Sequence, residues 1–275
     1  MTEVLGGELR FAEELARQAG ALLQASYERV DRIDYKSKRD VVTDVDFASE
    51  RLIIDAIHER YPGDAILAEE SGQVARRGSA AASGRIWVID PLDGTVNYVN
   101  GIPYYCVSIG LVTDTGPALG VIYDPARDEL FTATEGGPAC RDGEPTEASD
   151  KESLSDFVVS LAIIGRGGIG RERRVSRAIR IGRRMGSAAL SLAYVGAGRF
   201  DAFIQNGGLS AWDVAAAGLI AERGGATVSD LRGGPWWQPR ARGATVSIVA
   251  APQPHHGELI ELLASVGASV RTRRP

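Results

Sequence analysis

The segment 87–95, WVIDPLDGT, constrains the fold and the chemistry of this chain more than any other. It begins as a short apolar run that suits a buried strand, and it ends in two aspartates three residues apart, with Pro91 fixing the bend between them. Hard cations such as Mg²⁺ prefer carboxylate and carbonyl oxygens, so Asp90, Asp93 and the Leu92 carbonyl form a candidate metal site. The alternative is an ordinary turn with both acids solvated.

The two residues after this pair favour phosphate binding. Gly94 permits a close approach of the backbone, and the amides of Gly94 and Thr95 suit a phosphate oxygen. A second apolar run, 65–68, also ends in acid, which makes Glu70 a further candidate ligand. Alone, Glu70 is equally compatible with a solvated loop.

Two more acids begin predicted helices, where each has two interpretations. Asp213 precedes a run of small residues, 215–218, that would let its helix pack closely on a neighbour, but it would also pair with Ser210 as a helix-start cap. Asp46 would cap its helix with Thr43, or would accept a proton while the Thr95 hydroxyl orients a metal-bound water. These interpretations do not exclude each other.

The periodicity of apolar residues predicts a mixed fold in two halves. The first half, 1–140, is α+β and would carry most of the candidate metal ligands; the second, 141–275, is α/β and would carry Asp213. Helices are predicted over 8–27, 44–60, 171–182, 187–197 and 211–223, strands over 65–68, 86–89, 157–163, 200–205 and 245–250, and an antiparallel meander over 105–134. A mobile loop is predicted over 165–170 with the arginines that follow it.

Composition excludes several classes of function. The formal net charge of -5 argues against a broad nucleic-acid surface. No apolar run approaches the roughly 20 residues of a membrane span, and the N-terminus lacks the order of a signal peptide, so a cytoplasmic protein without a membrane partner is expected. No Gly-Lys-Ser or Gly-Lys-Thr follows a glycine-rich run, and the three histidines have no companion motif for a serine or cysteine hydrolase.

Five separated segments together resemble the inositol monophosphatase family. They are 40–46, 68–71 (AEES), 90–95 (DPLDGT), 186–189 (GSAA), and Trp212-Asp213 followed by Gly224-Gly225. They occur in the family's order and span most of the chain. The resemblance implies the layered αβαβα sandwich of the inositol monophosphatase and fructose-1,6-bisphosphatase type.

The resemblance also implies a mechanism and a set of site residues. The implied enzyme is a phosphoric monoester hydrolase, a Mg²⁺-dependent phosphatase that cleaves inositol monophosphate with a metal-activated water. Two or three Mg²⁺ ions would be held by Glu70, Asp90, the Leu92 carbonyl, Asp93 and Asp213, with Asp46, Thr95 and Glu70 in catalytic roles. Substrate would contact Asp93, Gly94, Thr95, Gly186, Ser187, Ala188 and Asn206. The family further implies a homodimer and sensitivity to Li⁺.

Several alternatives to this function stay open. A haloacid dehalogenase phosphatase would need its two aspartates two residues apart, whereas here they are three apart. Fructose-1,6-bisphosphatase, a dual-specificity sugar phosphatase, histidinol-phosphate phosphatase and a catalytically silent regulatory protein share the family's core. Many inositol-selective members carry a glutamate seven residues before the last metal-binding aspartate, where this chain has Asn206, so weaker inositol selectivity is expected. The arginines 166, 171, 173 and 174 would suit a second phosphate, or form a solvated helix face.

Overall fold

The computed structural model of the chain describes residues 5–29, 33–37, 40–74, 83–163, 165, 168–237 and 245–264. The described part contains seven α-helices and a short 3-10 turn, Leu154–Asp156. The helices are α1 Gly6–Ser26, α2 Asp44–Arg60, α3 Thr95–Val99, α4 Gly168–Ala178, α5 Ala188–Gly196, α6 Ala211–Arg223 and α7 His255–Ala264.

Fifteen strands lie in the same described residues. They are β1 Ile33–Ser37, β2 Asp40–Thr43, β3 Ala65–Ala68, β4 Gly72–Val74, β5 Ile86–Asp93, β6 Cys106–Thr113, β7 Gly116–Asp124, β8 Glu129–Thr134, β9 Cys140–Arg141, β10 Glu144–Pro145, β11 Val158–Ala162, β12 Ile181–Arg183, β13 Ala202–Leu209, β14 Thr227–Ser229 and β15 Val246–Ala251.

The strands form two large sheets and a hairpin. The first sheet has eight strands in the order β10-β9-β8-β7-β6-β5-β3-β4, and the second has five in the order β12-β11-β13-β15-β14. The first sheet is antiparallel except where β3 runs parallel to β5. Strands β1 and β2 pair with each other as the hairpin that leads into α2. The parallel pair matters for the site, because both of its strands end at the same edge of the sheet.

Apolar clusters lie between five successive layers of helix and sheet. Helices α1 and α2 pack on one face of the eight-stranded sheet. Helices α5 and α6 fill the space between the two sheets, and α4 and α7 pack on the outer face of the five-stranded sheet. The order is therefore α, β, α, β, α, which confirms the predicted sandwich.

Helix α6 lies unusually close to the eight-stranded sheet. A Cβ atom added at Gly120 would be 2.5 Å from the Ala216 carbonyl oxygen, and one added at Gly110 would be 3.2 Å from the Ala216 nitrogen. Glycine in the strands and alanine in the helix are both required for this approach. The run of small residues at 215–218 thus has the packing role that its sequence predicts.

Two predictions about the second half are wrong. The helix predicted over 171–182 begins earlier and ends at Ala178, and Ile181–Arg183 is instead the edge strand β12, paired in parallel with β11. The loop predicted over 165–170 and its arginines is helical from Gly168 onward. Tertiary pairing with β11 overrides local helical spacing here. Arg166 lies outside the described residues.

The two sheets are built from successive parts of the chain. All strands of the eight-stranded sheet lie between residues 65 and 145, and all strands of the five-stranded sheet lie between residues 158 and 251. The division into halves at residues 140 and 141 stays a prediction.

Candidate active site

A bulge in β5 turns Asp90 and Asp93 toward the same side of the sheet. In a regular strand, residues three apart point to opposite faces. Here Asp90 pairs with Ser108 and Asp93 pairs with Cys106 of β6, so three steps along β5 match two along its neighbour. The extra residue reverses the alternation. Pro91 is tolerated within the strand because a bulge frees one position from the ladder of hydrogen bonds.

Asp213 reaches this pair from the start of α6. The Ser108 hydroxyl, opposite Asp90, donates a hydrogen bond of 3.1 Å to the Trp212 carbonyl and so fixes the first turn of the helix. Carboxylate oxygens of Asp90, Asp93 and Asp213 all lie within 4.8 Å of one another. Three carboxylate oxygens this close together are hard ligands that would suit a divalent cation such as Mg²⁺.

Asp213 also serves as a cap, as its alternative interpretation predicted. The Ser210 amide donates to its Oδ2 atom at the start of α6. One oxygen therefore fixes the carboxylate relative to the helix. A capping role and a ligand role are compatible, because a carboxylate can accept several bonds.

The fourth acid next to the trio is Glu69. Its side chain acts on Asp90 both by charge and by a hydrogen bond, and its charge also affects Asp46. The backbone amide of Glu70 instead donates to Glu50 of α2 at 2.8 Å. The contact with Asp90 makes Glu69 a candidate for the acid that completes the site, and the role assigned to Glu70 from the sequence stays a prediction. Neighbouring acids at a strand end cannot be distinguished by spacing alone.

The electrostatics of the cluster favour a bound cation. Burial, followed by the charges of Glu69, Asp93 and Asp213, raises the pKa of Asp90 well above its ordinary value. Burial also raises the pKa of Asp93, although hydrogen bonds from Ser187 and from the first amides of α5 oppose that rise. Acids that repel one another in a buried place become favourable ligands once a divalent cation neutralises them.

A hydrogen-bonded trio of Thr43, Asp46 and Thr95 lies beside the cluster. Asp46 is buried, and its Oδ2 atom accepts bonds from the Thr43 amide at 2.9 Å and the Thr43 hydroxyl at 2.5 Å. The Thr95 hydroxyl is 3.0 Å from Asp46 Oδ1 and 3.1 Å from the Leu92 carbonyl oxygen. Burial raises the pKa of Asp46 to about 6. The geometry links this acid directly to the Asp90–Asp93 turn.

The segment 186–189 lies against Asp93 at the start of α5. The Ser187 hydroxyl donates to Asp93 Oδ2 at 2.6 Å, and the Ala189 amide donates to the same oxygen at 2.7 Å. Gly94, with φ of +100°, brings its backbone near this segment, since a Cβ added there would lie 3.3 Å from the Ser187 Cβ. The predicted metal ligand Asp93 and the predicted substrate residue Ser187 are therefore in contact, although they are 94 positions apart in the sequence.

Asn206 lies in an irregular part of β13. The pairing of β13 with β15 shifts register between Gln205 and Leu209, and Gly207 and Gly208 both have positive φ, at +94° and +76°. The Gln205 amide nitrogen donates to the Gly207 carbonyl at 3.3 Å. Because a bulge changes which side chain faces the site, counting seven residues back from Asp213 does not distinguish Asn206 from Gln205.

Sequence reasoning missed three polar residues that hold the site together. The Ser49 hydroxyl donates to the Pro91 carbonyl at 3.0 Å, and Glu50 accepts from the amides of Glu70 and Ser71. The Asn97 amide joins the Tyr104 carbonyl at 2.7 Å to the Met185 carbonyl at 2.8 Å, so it anchors the approach to Gly186. The sequence does contain an indication of Glu50. It lies four residues after Asp46, on the same face of α2, and acids are rarely buried without a partner.

Comparison with known proteins agrees with this architecture. A sequence model of the inositol monophosphatase family matches residues 8–268. Nus factor SuhB of Pseudomonas aeruginosa is 39% identical over 241 residues, covering 82% of this chain and 86% of that protein. The protein named fructose-1,6-bisphosphatase/inositol-1-monophosphatase in Thermotoga maritima is 38% identical over 227 residues, covering 82% and 85%.

A solved structure extends the agreement to the whole fold. The extragenic suppressor protein suhB from Bartonella henselae superposes with a TM-score of 0.86 at 31% identity, covering 95% of this chain and 100% of that one. The five layers and the buried acid cluster are those expected of a family of metal-dependent phosphatases that act on small phosphate esters. The chain belongs to the inositol monophosphatase family. In the part of the chain that the structure describes, no helix is both long and apolar enough to cross a membrane.

Proposed function

We propose that this protein is a Mg²⁺-dependent phosphomonoesterase that hydrolyses myo-inositol 1-phosphate. The observation that carries the proposal is the convergence of Asp90, Asp93 and Asp213 within 4.8 Å, beside the hydrogen-bonded pair of Asp46 and Thr95. When bound, Mg²⁺ supplies charge neutralisation at the phosphoryl oxygens and a water of lowered pKa. The carboxylates, together with Glu69 and the Leu92 carbonyl, are the oxygens offered to two or three such ions.

The other residues of the site have separate roles in hydrolysis. Asp46, tied to the Thr95 hydroxyl, is positioned to take a proton from the attacking water. The amides of Gly94 and Thr95 would hold a phosphate oxygen. Gly186, Ser187 and Ala188 would contact the sugar or polyol, since Ser187 already bonds to Asp93. These roles fit in-line displacement, in which positioning and charge stabilisation supply most of the catalysis.

Fructose 1,6-bisphosphate is a second candidate substrate. The Thermotoga maritima relative carries both activities in its name. The chain also offers neutral amides, Gln205 and Asn206, where a glutamate is expected in inositol-selective members. A neutral hydrogen bond is worth about 1 kcal/mol, against about 1.5 to 3 for a bond to a charged group, so preference for inositol should be modest.

The substrate assignment is tested by comparing kcat/KM for the two esters. We expect Asn206→Glu or Gln205→Glu to raise the ratio of inositol 1-phosphate to fructose 1,6-bisphosphate hydrolysis by roughly 2- to 30-fold, which converts the difference in bond strength. Ser247→Glu, on the nearby β15, controls for an added charge. Parent protein that cleaves neither ester while releasing phosphate from others would overturn the substrate assignment and leave the phosphatase intact.

A role of the Nus factor type is a second candidate function. Several relatives bear the name Nus factor SuhB, and the segment 168–184 contains seven arginines and one glutamate despite the net charge of -5. Two results would support this role. The protein would bind RNA with an affinity that falls steeply with salt, and an Arg173/Arg177/Arg183 triple alanine variant would lose that binding while keeping normal phosphatase activity. No binding at about 50 mM salt would support the expectation of no nucleic-acid partner.

Two further expectations, a homodimer and inhibition by Li⁺, rest on the family resemblance. The cytoplasmic location stays a prediction from the sequence. A catalytically silent regulatory protein is the alternative that a phosphate-release assay with Mg²⁺ excludes or supports directly.

A further inference from the structure

We propose that Glu50 is a positioning residue for the metal site, and that it acts by holding the turn that carries Glu69. This inference rests on the proposed function, because it assigns a role relative to the metal ions. Glu50 is buried in α2, with 3% of its surface exposed. Its two carboxylate oxygens accept hydrogen bonds from two consecutive amides, Glu70 at 2.8 Å and Ser71 at 2.9 Å.

One face of α2 reaches three parts of the site. Asp46, Ser49 and Glu50 are three and four residues apart, so they lie on the same side of the helix. Asp46 bonds to the Thr95 hydroxyl, Ser49 to the Pro91 carbonyl, and Glu50 to the turn after β3. The helix therefore fixes the proton acceptor, the β5 bulge and the acidic turn relative to one another.

The anchored turn places Glu69 beside Asp90. Strand β3 runs parallel to β5 with Ala68 opposite Ile89, so the next residue of each strand is an acid at the same sheet edge. Two carboxylates at one sheet edge repel each other when both are ionised. Unless the backbone is held, the turn would relax to separate them. The two bonds to Glu50 oppose that relaxation and keep the acids in place for a cation.

A carboxylate suits this task better than an amide. Two adjacent backbone N–H groups converge on Glu50, and both need an acceptor. Glutamine offers one oxygen and one NH₂ group, so one backbone donor would face another donor. Glu50→Gln therefore changes the anchor while preserving the volume and the apolar contacts of the side chain.

The test compares Glu50→Gln with Asp64→Asn as a matched control. Asp64 is also buried, with 3% exposure, and accepts bonds from the Trp87 indole at 2.9 Å and from Arg85. It precedes β3 and so lies at the opposite end of that strand from Glu69. Each variant thus loses one buried carboxylate that joins the same sheet, but only one of them is near the site.

Two measurements distinguish positioning from plain stability. The first is binding of Mn²⁺, as a probe for Mg²⁺, followed by electron paramagnetic resonance without substrate. The second is the Mg²⁺ concentration that gives half-maximal phosphate release. In Glu50→Gln we expect the Mn²⁺ dissociation constant and the half-maximal Mg²⁺ concentration each to rise by 10- to 100-fold. This is the range found when residues that orient metal ligands are altered. Asp64→Asn should bind metal as the parent does, whatever its melting temperature.

A second variant guards against loss of folding. Glu50→Asp keeps the charge and withdraws the carboxylate by one bond, about 1.5 Å, so a smaller loss of metal affinity in the same direction is expected. Parent-like Mn²⁺ binding in both Glu50 variants, with only a lower melting temperature, would overturn the inference. Equal loss in Asp64→Asn would also overturn it. A parent that binds Mn²⁺ but releases no phosphate would instead contradict the proposed function.

Discussion

At the scale of single residues, the site depends on carboxylates whose burial would be costly without a cation. Asp90 and Asp93 are buried, with 2% and 8% exposure, and Asp213 completes the trio. A buried charge is tolerated in proteins when it is paired or bound to metal. The substitutions that test this assignment should therefore preserve shape and remove charge.

We expect Asp93→Asn and Asp213→Asn each to lower kcat/KM by more than roughly 100-fold, since even residues behind metal ligands cost 10- to 100-fold. Folding should survive, because the amide oxygen of asparagine can still accept the bond from the Ser210 amide at the start of α6, and asparagine fits the space of Asp93. The measurement is steady-state phosphate release at saturating Mg²⁺. Circular dichroism is the control for folding. Near-parent activity in either variant would remove that residue from the site.

The pKa of Asp46 gives a second prediction at this scale. Burial raises it from 3.8 to about 6, so the folded protein binds this proton more tightly than the unfolded chain. The stability that this protonation provides is present below about pH 4 and is lost as pH rises through about 6. Asp46→Asn should thus gain stability relative to the metal-free parent between pH 4.5 and 7.5, by at most about 3 kcal/mol.

Urea unfolding at the two pH values measures this gain. Asp55→Asn, on the exposed side of the same helix, controls for removal of a charge. A difference between parent and Asp46→Asn that does not change with pH would contradict the assignment of the raised pKa. The activity of the parent should rise with pH over the range in which its stability falls, because only the ionised Asp46 can take a proton.

At the scale of elements, the close packing of α6 brings Asp213 to the sheet. We expect Gly120→Ala to destabilise the protein by about 1 to 3 kcal/mol, because the new Cβ would lie 2.5 Å from the Ala216 carbonyl oxygen. Gly257→Ala in α7 is the control, since no atom lies within 4 Å of its added Cβ and alanine favours a helix by about 1 kcal/mol. Equal unfolding free energies for the two variants would show that the contact is not tight.

Elements with a strong local sequence pattern lie where the sequence predicts them. Helix α2 begins and ends where periodicity predicts, because Thr43 caps its start and Pro62-Gly63 follows its end. Strand β12 falls within a predicted helix, because a three-residue edge strand has no pattern of its own and depends on pairing with β11. The sequence predicts the β5 bulge only as a bend, since register against β6 is a tertiary property.

The choice between adjacent acids shows a similar limit. The sequence predicts that a strand ends in acid at 69 and 70, but which carboxylate faces Asp90 depends on how α2 holds the turn. Glu50 holds this turn by a hydrogen bond to a residue 20 positions away in the sequence. Long-range hydrogen bonds of this kind leave no periodic signal in a single sequence.

At the scale of the whole molecule, residues between positions 43 and 213 meet only when the layers have assembled. Binding of Mg²⁺ to the folded state should therefore raise the free energy of unfolding by RT ln(1 + [L]/Kd), about 2.7 kcal/mol at 100 times Kd, and so raise the melting temperature. The rise should be larger at pH 7.5 than at pH 5.5, because protonated acids must lose protons before they bind metal. Differential scanning calorimetry with Ca²⁺-free buffers checks this, and a shift independent of pH would argue against carboxylate ligands.

The most direct test of the central claim is phosphate release from myo-inositol 1-phosphate as a function of Mg²⁺ concentration, after removal of metal with EDTA. The metal-free protein should release no phosphate above background. Added Mg²⁺ should restore turnover along a saturable curve, and Asp213→Asn should fail to recover under the same conditions. Unchanged turnover in the EDTA-treated parent would contradict the account, because the acid cluster would then have no role as a cation site.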